Sequence, residues 1–301
     1  MACCDHFHGK DSKGVLVLGE ESTVADRRRF VQALAAGGAM FVAGAASGCT
    51  TNPITGEQQL TGLLPSGQID QMAAASWAET KQELPEVRDP RYRRRLQSVG
   101  GRIKRVAPGA GDNWEYAVFD QEVQNAFVLP GGRVGFYKGM MDFSENESQI
   151  GAVMGHEVGH VVGRHAQERA NQQLAGQLGT AVGAVAVGRG ENAQRNMQLI
   201  QALGLGYQLG VVLPYSRNHE RQADLLGVNY LHRAGYDKGQ AIRLWERMAA
   251  EAGPSRQPEF MSTHPDPASR AQYIANYIQE QDALGSQGYQ DTAIKDFDFD
   301  V

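Results

Sequence analysis

Residues 155–162 read GHEVGHVV, and this stretch decides both the fold and the chemistry that the sequence predicts. His156 and His160 are four residues apart, so on a helix they lie one above the other on the same face. Two imidazoles in that arrangement can bind one Zn²⁺ at about 2.0–2.1 Å. Glu157 projects about 100° around the helix from His156, beside the metal, where it can accept a proton from an attacking water. The pattern therefore predicts a zinc site with a general base.

The flanking residues indicate that this stretch is helical. Ser144 and Glu147 have the spacing of a capping box, which predicts that a helix begins at Ser144. The apolar residues that follow give the helix one buried flank, formed by Ile150, Val153, Met154, Val158, Val161 and Val162. The alternative of two core histidines and a surface glutamate is disfavoured, because the motif lies on a capped helix of small and β-branched residues.

A catalytic zinc needs a third protein ligand and an open fourth position. His165 lies one position before Ala166, where the longer H-E-x-x-H-x-x-G-x-x-H pattern has a histidine, so we expect His165 to point elsewhere. Glu220 and Asp224 lie four residues apart in a second helical run. Glu220 can complete a His₂Glu site, and Asp224 can accept the remaining N–H of a ligand histidine. A solvated acidic helix face is the alternative for this pair.

The remaining patterns predict an α+β fold that is predominantly helical. Two helices are expected first, one from Ser66 to about Leu84 and one that opens at Pro90. Short strand patterns follow at residues 114–119, 126–129 and 133–137. The last two flank a Pro-Gly-Gly turn, which predicts a hairpin in a small sheet. Beyond the sheet, the pattern is helical to near residue 283.

The N-terminal residues have the features of an export signal. Three arginines precede an uncharged run from Phe30 to Ala46, and small residues stand directly before Cys49. The segment around the arginines also resembles a twin-arginine motif, so the Tat and Sec routes both stay open. The residues before Cys49 resemble the lipobox of bacterial lipoproteins, although Ala46 stands where leucine is usual. We expect acylation of Cys49; a buried Ala/Gly helix with an inert cysteine is the alternative.

Several motifs together resemble a known family. The chain contains the following motifs in the order in which they occur in the HtpX-, Oma-, BepA- and LoiP-like gluzincin metallopeptidases: Asn125-Ala126-Phe127, His156-Glu157-x-x-His160, Glu220-x-x-Ala223-Asp224 and Ser262-Thr263-His264-Pro265. The segment Cys49–Gln59 also looks like the exported lipoprotein members. The resemblance covers most of the chain from Cys49 to about Ala283. It implies a zincin-like domain with a small sheet beside the HExxH helix.

The resemblance also implies a role for each motif residue at the metal. His156, His160 and Glu220 would bind one zinc ion per chain. Glu157 would be the general base of the reaction. Asp224 would orient a ligand histidine without touching the metal itself.

Two further motifs are implied to act on the substrate side. Asn125, Ala126, Phe127 and Val128 would form an edge strand that holds an extended peptide through main-chain hydrogen bonds. His264 would either stabilise the oxyanion or occupy the water position and keep the enzyme latent, with Arg270 as its neighbour. A loop histidine bonded to backbone is the alternative for His264.

These patterns divide the chain into parts. We expect an export leader over residues 1–48, a tether over 49–64, a zinc metallopeptidase domain over 65–284 and an acidic tail over 285–301. The Gly/Ala-rich and Leu/Val-rich segment 171–214 has no apolar run long enough to span a membrane, so we expect a helical hairpin over the cleft. The net charge of −5 argues against a nucleic-acid partner.

The sequence thus predicts a zinc metalloendopeptidase that cleaves unfolded, misfolded or envelope proteins. We expect a periplasm-facing lipoprotein of the bacterial cell envelope, in the outer membrane because Thr50 is not the aspartate that retains lipoproteins at the inner membrane. The alternative is a non-catalytic or chaperone-like factor that keeps the zinc site and serves the outer-membrane assembly machinery. A zinc hydrolase of non-peptide substrates is less favoured, because an extended strand beside the site suits peptides.

Overall fold

The computed structural model describes residues 49–52, 56, 58–186, 216–251, 259–285 and 289. The strands are β1 (Cys49–Thr51), β2 (Gln58–Leu60), β3 (Glu115–Phe119), β4 (Ala126–Leu129) and β5 (Arg133–Tyr137). The helices are α1 (Ser66–Glu83), α2 (Pro90–Lys104), α3 (Lys138–Phe143), α4 (Glu147–Val162), α5 (His165–Ala186), α6 (Arg217–Arg233), α7 (Gly239–Glu251), α8 (Glu259–Thr263) and α9 (Pro267–Ala283). The fold is α+β and mostly helical, as predicted.

Strands β3, β5 and β4 form one sheet in that spatial order. β3 runs parallel to β5, and β4 runs antiparallel to β5 with Phe127 opposite Gly135. The β4–β5 turn contains Gly131 and Gly132 at φ 85° and 82°, in the region that favours glycine. The predicted hairpin is therefore confirmed, and β4 lies at an edge of the sheet.

The sheet is buried on both faces. One face packs on α1, where Phe127 and Leu129 join Trp77 in an apolar cluster. The other face packs on α4, where Ala126 and Val128 belong to the main hydrophobic core. The edge strand is consequently held in place next to the helix that carries the HExxH motif.

Helices α4 and α6 cross at very short range. A Cβ atom at Gly159 would lie 2.7 Å from the carbonyl oxygen of Ala223, and one at Gly155 would lie 2.9 Å from that of Gly227. A Cβ atom at Gly227 would lie 2.8 Å from the backbone nitrogen of His156. Real Cβ contacts are essentially never this short, so the crossing requires glycine at these positions. The close approach lets side chains from both helices reach one point.

Helix α4 begins at Glu147, and the predicted start at Ser144 is wrong. Asn146 is the N-cap, and its side chain accepts a hydrogen bond of 3.0 Å from the backbone N–H of Gln149. The Ser144 hydroxyl donates instead to the carbonyl of Met140, at 2.9 Å. Ser144 therefore ends the preceding helix, which a local capping pattern does not reveal.

Strands β1 and β2 form an antiparallel hairpin that is fastened to the end of α4. The buried amides of Asn52 and Gln59 donate to the carbonyls of Val162 and Gly163, at 3.3 and 2.6 Å. These carbonyls belong to the last turn of the helix, where no helical partner is available. The described part of the expected tether over 49–64 thus packs on the domain, whereas the proposed division of the chain stays a prediction.

Other expectations fall on parts of the chain that are not described. The export leader, residues 187–214 of the segment expected over the cleft and the acidic tail beyond Tyr289 lie outside the described residues. Within the described ranges, every helix is too short or too polar to cross a bilayer.

Candidate metal centre

Side chains from separate parts of the fold converge on one point. His156 and His160 come from α4, Glu220 from the first turn of α6, and His264 directly follows α8. One nitrogen or oxygen atom of each residue lies within 4.8 Å of those of the other three, and all four residues are buried. Residues more than 100 positions apart in the chain thus meet at the site that the sequence predicts.

The spacing of the donor atoms fits a tetrahedral metal ion. The Nε2 atoms of His156 and His160 lie 3.0 Å apart. The carboxylate oxygens of Glu220 lie 3.6 Å from His156 Nε2 and 3.4 Å from His160 Nε2. Ligands placed about 2.0–2.1 Å from Zn²⁺ in a tetrahedron are about 3.3–3.4 Å from each other. These side chains could therefore hold one divalent metal ion, and their nitrogen and oxygen donors suit zinc.

Burial sets the protonation of these groups. It lowers the pKa of His156 to about 4 and that of His160 well below the ordinary value, so both imidazoles are neutral. Burial alone would raise the pKa of Glu220, but His264 and Arg270 outweigh it and hold the pKa low. The site thus offers two nitrogen lone pairs and a carboxylate, the forms that bind a metal ion.

Glu157 lies beside the cluster and is not part of it. Its Oε1 atom is buried, and no described group forms a hydrogen bond with it. The imidazole of His264 lies beside it, with Nε2 3.3 Å from Oε1. Burial raises the pKa of Glu157 to about 7. A carboxylate with a pKa near neutrality, next to a metal-binding group, can accept and return a proton at neutral pH.

The outer nitrogen of His156 faces a charged pair. Asp224 Oδ1 lies 2.9 Å from His156 Nδ1. Arg270 donates to both Asp224 oxygens, from Nε at 2.8 Å and from Nη2 at 2.6 Å. Its Nη1 atom lies 2.8 Å from Glu220 Oε2. The sequence placed Arg270 near His264, but its contacts with Asp224 and Glu220 had no signal in any local motif.

The outer nitrogen of His160 faces a residue that the sequence reasoning set aside. His165 Nδ1 lies 2.9 Å from His160 Nδ1, on the side away from the cluster, and His165 is not among the four residues that could share a metal ion, in agreement with the expectation that it points elsewhere. Helix α4 ends at Val162, and Arg164 at φ 55° turns the chain into α5. His165 therefore belongs to a new helix and packs back on α4, so the periodicity of α4 could not place it.

A cavity of about 510 Å³ opens beside Glu157 and His160. Phe127 and Val128 of the predicted substrate strand line it, together with residues of α1 and the end of α4. The side chain of Asn125 instead accepts a hydrogen bond of 2.8 Å from the backbone N–H of Ala126. The cavity thus connects the general-base candidate with the edge strand.

The HExxH helix, the adjacent small sheet and the buried His/Glu cluster define a zincin-like domain of the metallopeptidase class. Residues 90–278 match the sequence profile of peptidase family M48, which is more than half of the chain. The chain belongs to peptidase family M48.

The chain is also similar to individual proteases. It is 31% identical over 213 residues to the mitochondrial metalloendopeptidase OMA1 of Schizosaccharomyces pombe, which covers 69% of this chain and 60% of that protein. It is 28% identical over 236 residues to the beta-barrel assembly-enhancing protease of Escherichia coli, which covers 76% of this chain and 47% of that protein. The similarity therefore spans 47–60% of the length of these two relatives.

Proposed function

We propose that this protein is a zinc-dependent metalloendopeptidase. The observation that carries the proposal is the buried Glu157 carboxylate, which lies between the His156, His160 and Glu220 cluster and the cavity beside β4. Membership of peptidase family M48 and the similarity to two proteases support it.

His156, His160 and Glu220 hold the metal in this proposal. When bound, zinc supplies a Lewis acid that polarises a peptide carbonyl and makes water a better nucleophile. Glu157 accepts the proton as water attacks the carbonyl and passes it to the leaving amine. Asp224 accepts the N–H of His156, which keeps the other ring nitrogen available for the metal.

The peptide substrate binds along β4 as an added strand. In the β4–β5 pair, the carbonyl of Asn125 accepts from Tyr137 and that of Leu129 accepts from Gly132. Because backbone groups alternate along a strand, those of Ala126 and Val128 face the other edge, on the side away from β5. The N–H of Ala126 already donates to Asn125, so the peptide pairs with the carbonyl of Ala126 and with the backbone groups of Val128. Main-chain hydrogen bonds at this edge do not depend on the peptide's side chains, so the strand can bind peptides of many sequences. Asn125 and Phe127 flank this edge in the proposal.

His264 keeps the enzyme latent in the conformation described here. Its Nδ1 atom lies 3.1 Å from both His156 Nε2 and Glu220 Oε1, which is the spacing of a fourth ligand. Its Nε2 atom lies against Glu157. This geometry favours latency over the oxyanion role. His264→Ala then cleaves a peptide faster than the wild type, whereas an oxyanion-stabilising histidine predicts slower cleavage; steady-state kinetics decides.

The central test is Glu157→Gln in the full chain. We expect unchanged zinc stoichiometry by elemental analysis and a loss of casein cleavage of about 10²–10⁴-fold, the usual effect of removing a general base. Chelation of the wild-type protein should abolish cleavage, and added zinc should restore it. Cleavage that survives both the substitution and the chelator would overturn the proposal.

We further propose that the substrates are unfolded or misfolded proteins of the bacterial cell envelope. In this proposal, an export signal precedes Cys49, and acylated Cys49 anchors the protein to the outer membrane. The lipobox-like sequence before Cys49 supports it. Metabolic labelling with palmitate tests it: label should enter the wild type and be absent from Cys49→Ala.

A second candidate is a non-catalytic factor in outer-membrane protein assembly, since the Escherichia coli relative is named for beta-barrel assembly as well as for proteolysis. Expression of Glu157→Gln in a strain that lacks the protein distinguishes the two. Restored growth under envelope stress would favour the assembly factor, and failure to restore it would favour the protease.

A further inference from the structure

The ligand candidate His160 has a neutral partner on its outer side. His165 is fully buried, and its two ring nitrogens contact different groups. Nδ1 lies 2.9 Å from His160 Nδ1, and Nε2 lies 3.0 Å from the amide oxygen of Gln222. Since Gln222 comes from α6, the three residues form a chain of hydrogen bonds that joins α4, α5 and α6.

The direction of these hydrogen bonds follows from the groups at each end. The Gln222 atom at this contact is the amide oxygen, which can only accept, so His165 Nε2 carries the hydrogen that reaches it; the Gln222 Nε2 atom is buried and forms no hydrogen bond with a described residue. A neutral imidazole has one ring hydrogen, and His165 Nδ1 is then an acceptor. His160 Nδ1 must therefore donate to it. This leaves the lone pair of His160 on Nε2, the atom that faces His156 and Glu220.

We infer that His165 is a positioning residue that, together with Gln222, holds His160 in the tautomer that binds the metal through Nε2. His165 is fully buried, and burial disfavours the charged imidazole, in agreement with a single ring hydrogen. The inference rests on the metal site of the proposed function and adds a residue to it that does not touch the metal.

A second pair of contacts keeps the His165 ring in this orientation. The ring stacks on His219 with 4.4 Å between centroids and 12° between planes. His219 Nε2 in turn lies 3.2 Å from Glu168 Oε2, and both residues are buried. A partial rotation of the His165 ring would lose the stacking, and a full flip would put carbon atoms in place of both nitrogens at the two hydrogen bonds, so the acceptor stays aimed at His160.

The test separates the two ends of the His165 ring by substitution. His165→Asn places an amide oxygen near the position of Nδ1 and keeps an acceptor for His160. His165→Gln places an amide near the position of Nε2, which keeps the contact with Gln222 and removes the acceptor. His165→Leu removes both. The measurements are the zinc dissociation constant, by competition with a chromophoric chelator, and the visible spectrum of the cobalt(II) protein.

We expect His165→Gln and His165→Leu to bind zinc about 10–100-fold more weakly than the wild type, the usual effect of losing such an outer partner. Their cobalt spectra should change, because the orientation of one ligand changes. His165→Asn should stay within a few fold of the wild type with a wild-type spectrum. If His165 had a purely structural role, the zinc affinities of the three variants would instead decrease in the same order as their thermal stabilities.

Two results would overturn the inference. One is wild-type zinc affinity and cobalt spectrum in His165→Gln, and the other is an Asn variant as weak as the Gln variant. If His165→Leu does not fold, the comparison of Asn with Gln still decides. If the wild type binds zinc and cleaves casein, and all three variants have the same zinc affinity and cobalt spectrum as the wild type, the inference about His165 is wrong but the proposed function stands. A wild-type protein without zinc affinity would overturn the proposed function as well.

Discussion

The two histidines of the HExxH motif have different partners on the ring nitrogen that faces away from the metal site. His156 contacts Asp224, which pairs with Arg270, so its outer side is an ionic network. His160 contacts His165, which reaches Gln222, so its outer side is neutral. Both sides are buried. The side of His156 depends on a balance of charges, whereas the side of His160 depends only on the direction of hydrogen bonds. Substitutions on the two sides should therefore differ in how much stability they remove.

The largest expected effect is on the ionic side. Arg270→Met would leave the carboxylates of Asp224 and Glu220 buried without their cationic partner. Removal of one member of a buried ion pair destabilises a protein by about 3–5 kcal/mol. Urea unfolding of the metal-free protein measures this change.

The control for Arg270 is an exposed arginine that also pairs with an aspartate. Arg91 contacts Asp89 at 2.6 Å, and its side chain is 82% exposed. Arg91→Met should leave the free energy of unfolding close to that of the wild type, because solvent screens an exposed pair. If both substitutions change the free energy of unfolding equally, the ionic network next to His156 contributes no more to stability than a surface ion pair.

The second largest loss of stability is expected at the crossing of α4 and α6, which positions the partners of both histidines. In Gly159→Ala the new methyl group would meet the backbone of Ala223 at 2.7 Å, so α4 and α6 must separate. Overpacking of this kind costs about 1–3 kcal/mol. We also expect weaker zinc binding, because Glu220 moves away from the histidines with α6.

Gly101→Ala is the matched control, because a Cβ atom at this helical glycine of α2 meets nothing within 4 Å. Alanine should stabilise the helix there by about 0.5–1 kcal/mol. Thermal melts of both variants test the pair, and a Gly159→Ala protein as stable as the wild type would argue against the tight crossing.

On the side of His160, where the partners are neutral, we expect a smaller loss of stability. Gln222→Met removes the acceptor for His165 and leaves a buried N–H group without its partner, which costs about 1–3 kcal/mol. No charge is left uncompensated, so the effect should be below that of Arg270→Met. A double-mutant cycle sharpens the comparison: Gln222→Met should couple to His165→Leu and be additive with Arg270→Met. Strong coupling between Gln222 and Arg270 would mean that the two sides act as one network.

The smallest expected effect lies at the end of α4. Gln59→Leu removes two buried hydrogen bonds, one that Gln59 donates to the carbonyl of Gly163 and one that it accepts from Asn52. We expect destabilisation of about 1–2 kcal/mol, since one neutral hydrogen bond contributes about 0.5–1.5 kcal/mol and the second is long, at 3.2 Å. Gln58 is exposed and serves as the neighbouring control, since Gln58→Leu removes only a surface contact with Thr51. Chemical denaturation that ranks Gln58→Leu above Gln59→Leu would contradict a structural role of the hairpin.

Local patterns predicted much of the fold. The β4–β5 hairpin follows from two apolar runs around Pro130-Gly131-Gly132, and α2 begins at Pro90 with Asp89 as its N-cap, as expected. The start of α4 was misplaced because Ser144 and Asn146 are both good caps, and only the end of the preceding helix decides between them. The packing of the β1–β2 hairpin on α4 had no local signal, since it depends on buried amides that find partners about 100 residues away.

By itself, the sequence determined which side chains form the candidate metal centre on each of its two helices. Spacing along one helix is a local property, so His156, Glu157 and His160 could be assigned relative positions without knowledge of the rest of the fold. The pairing of Glu220 with Asp224 on α6 has the same local origin. Only the tertiary structure decided which residues contact the outer nitrogen of each histidine, because the positions of Arg270, His165 and Gln222 depend on how separate helices pack. Their contacts arise from the close crossing of α4 and α6 and from the turn after α4, and neither leaves a periodic pattern in the chain.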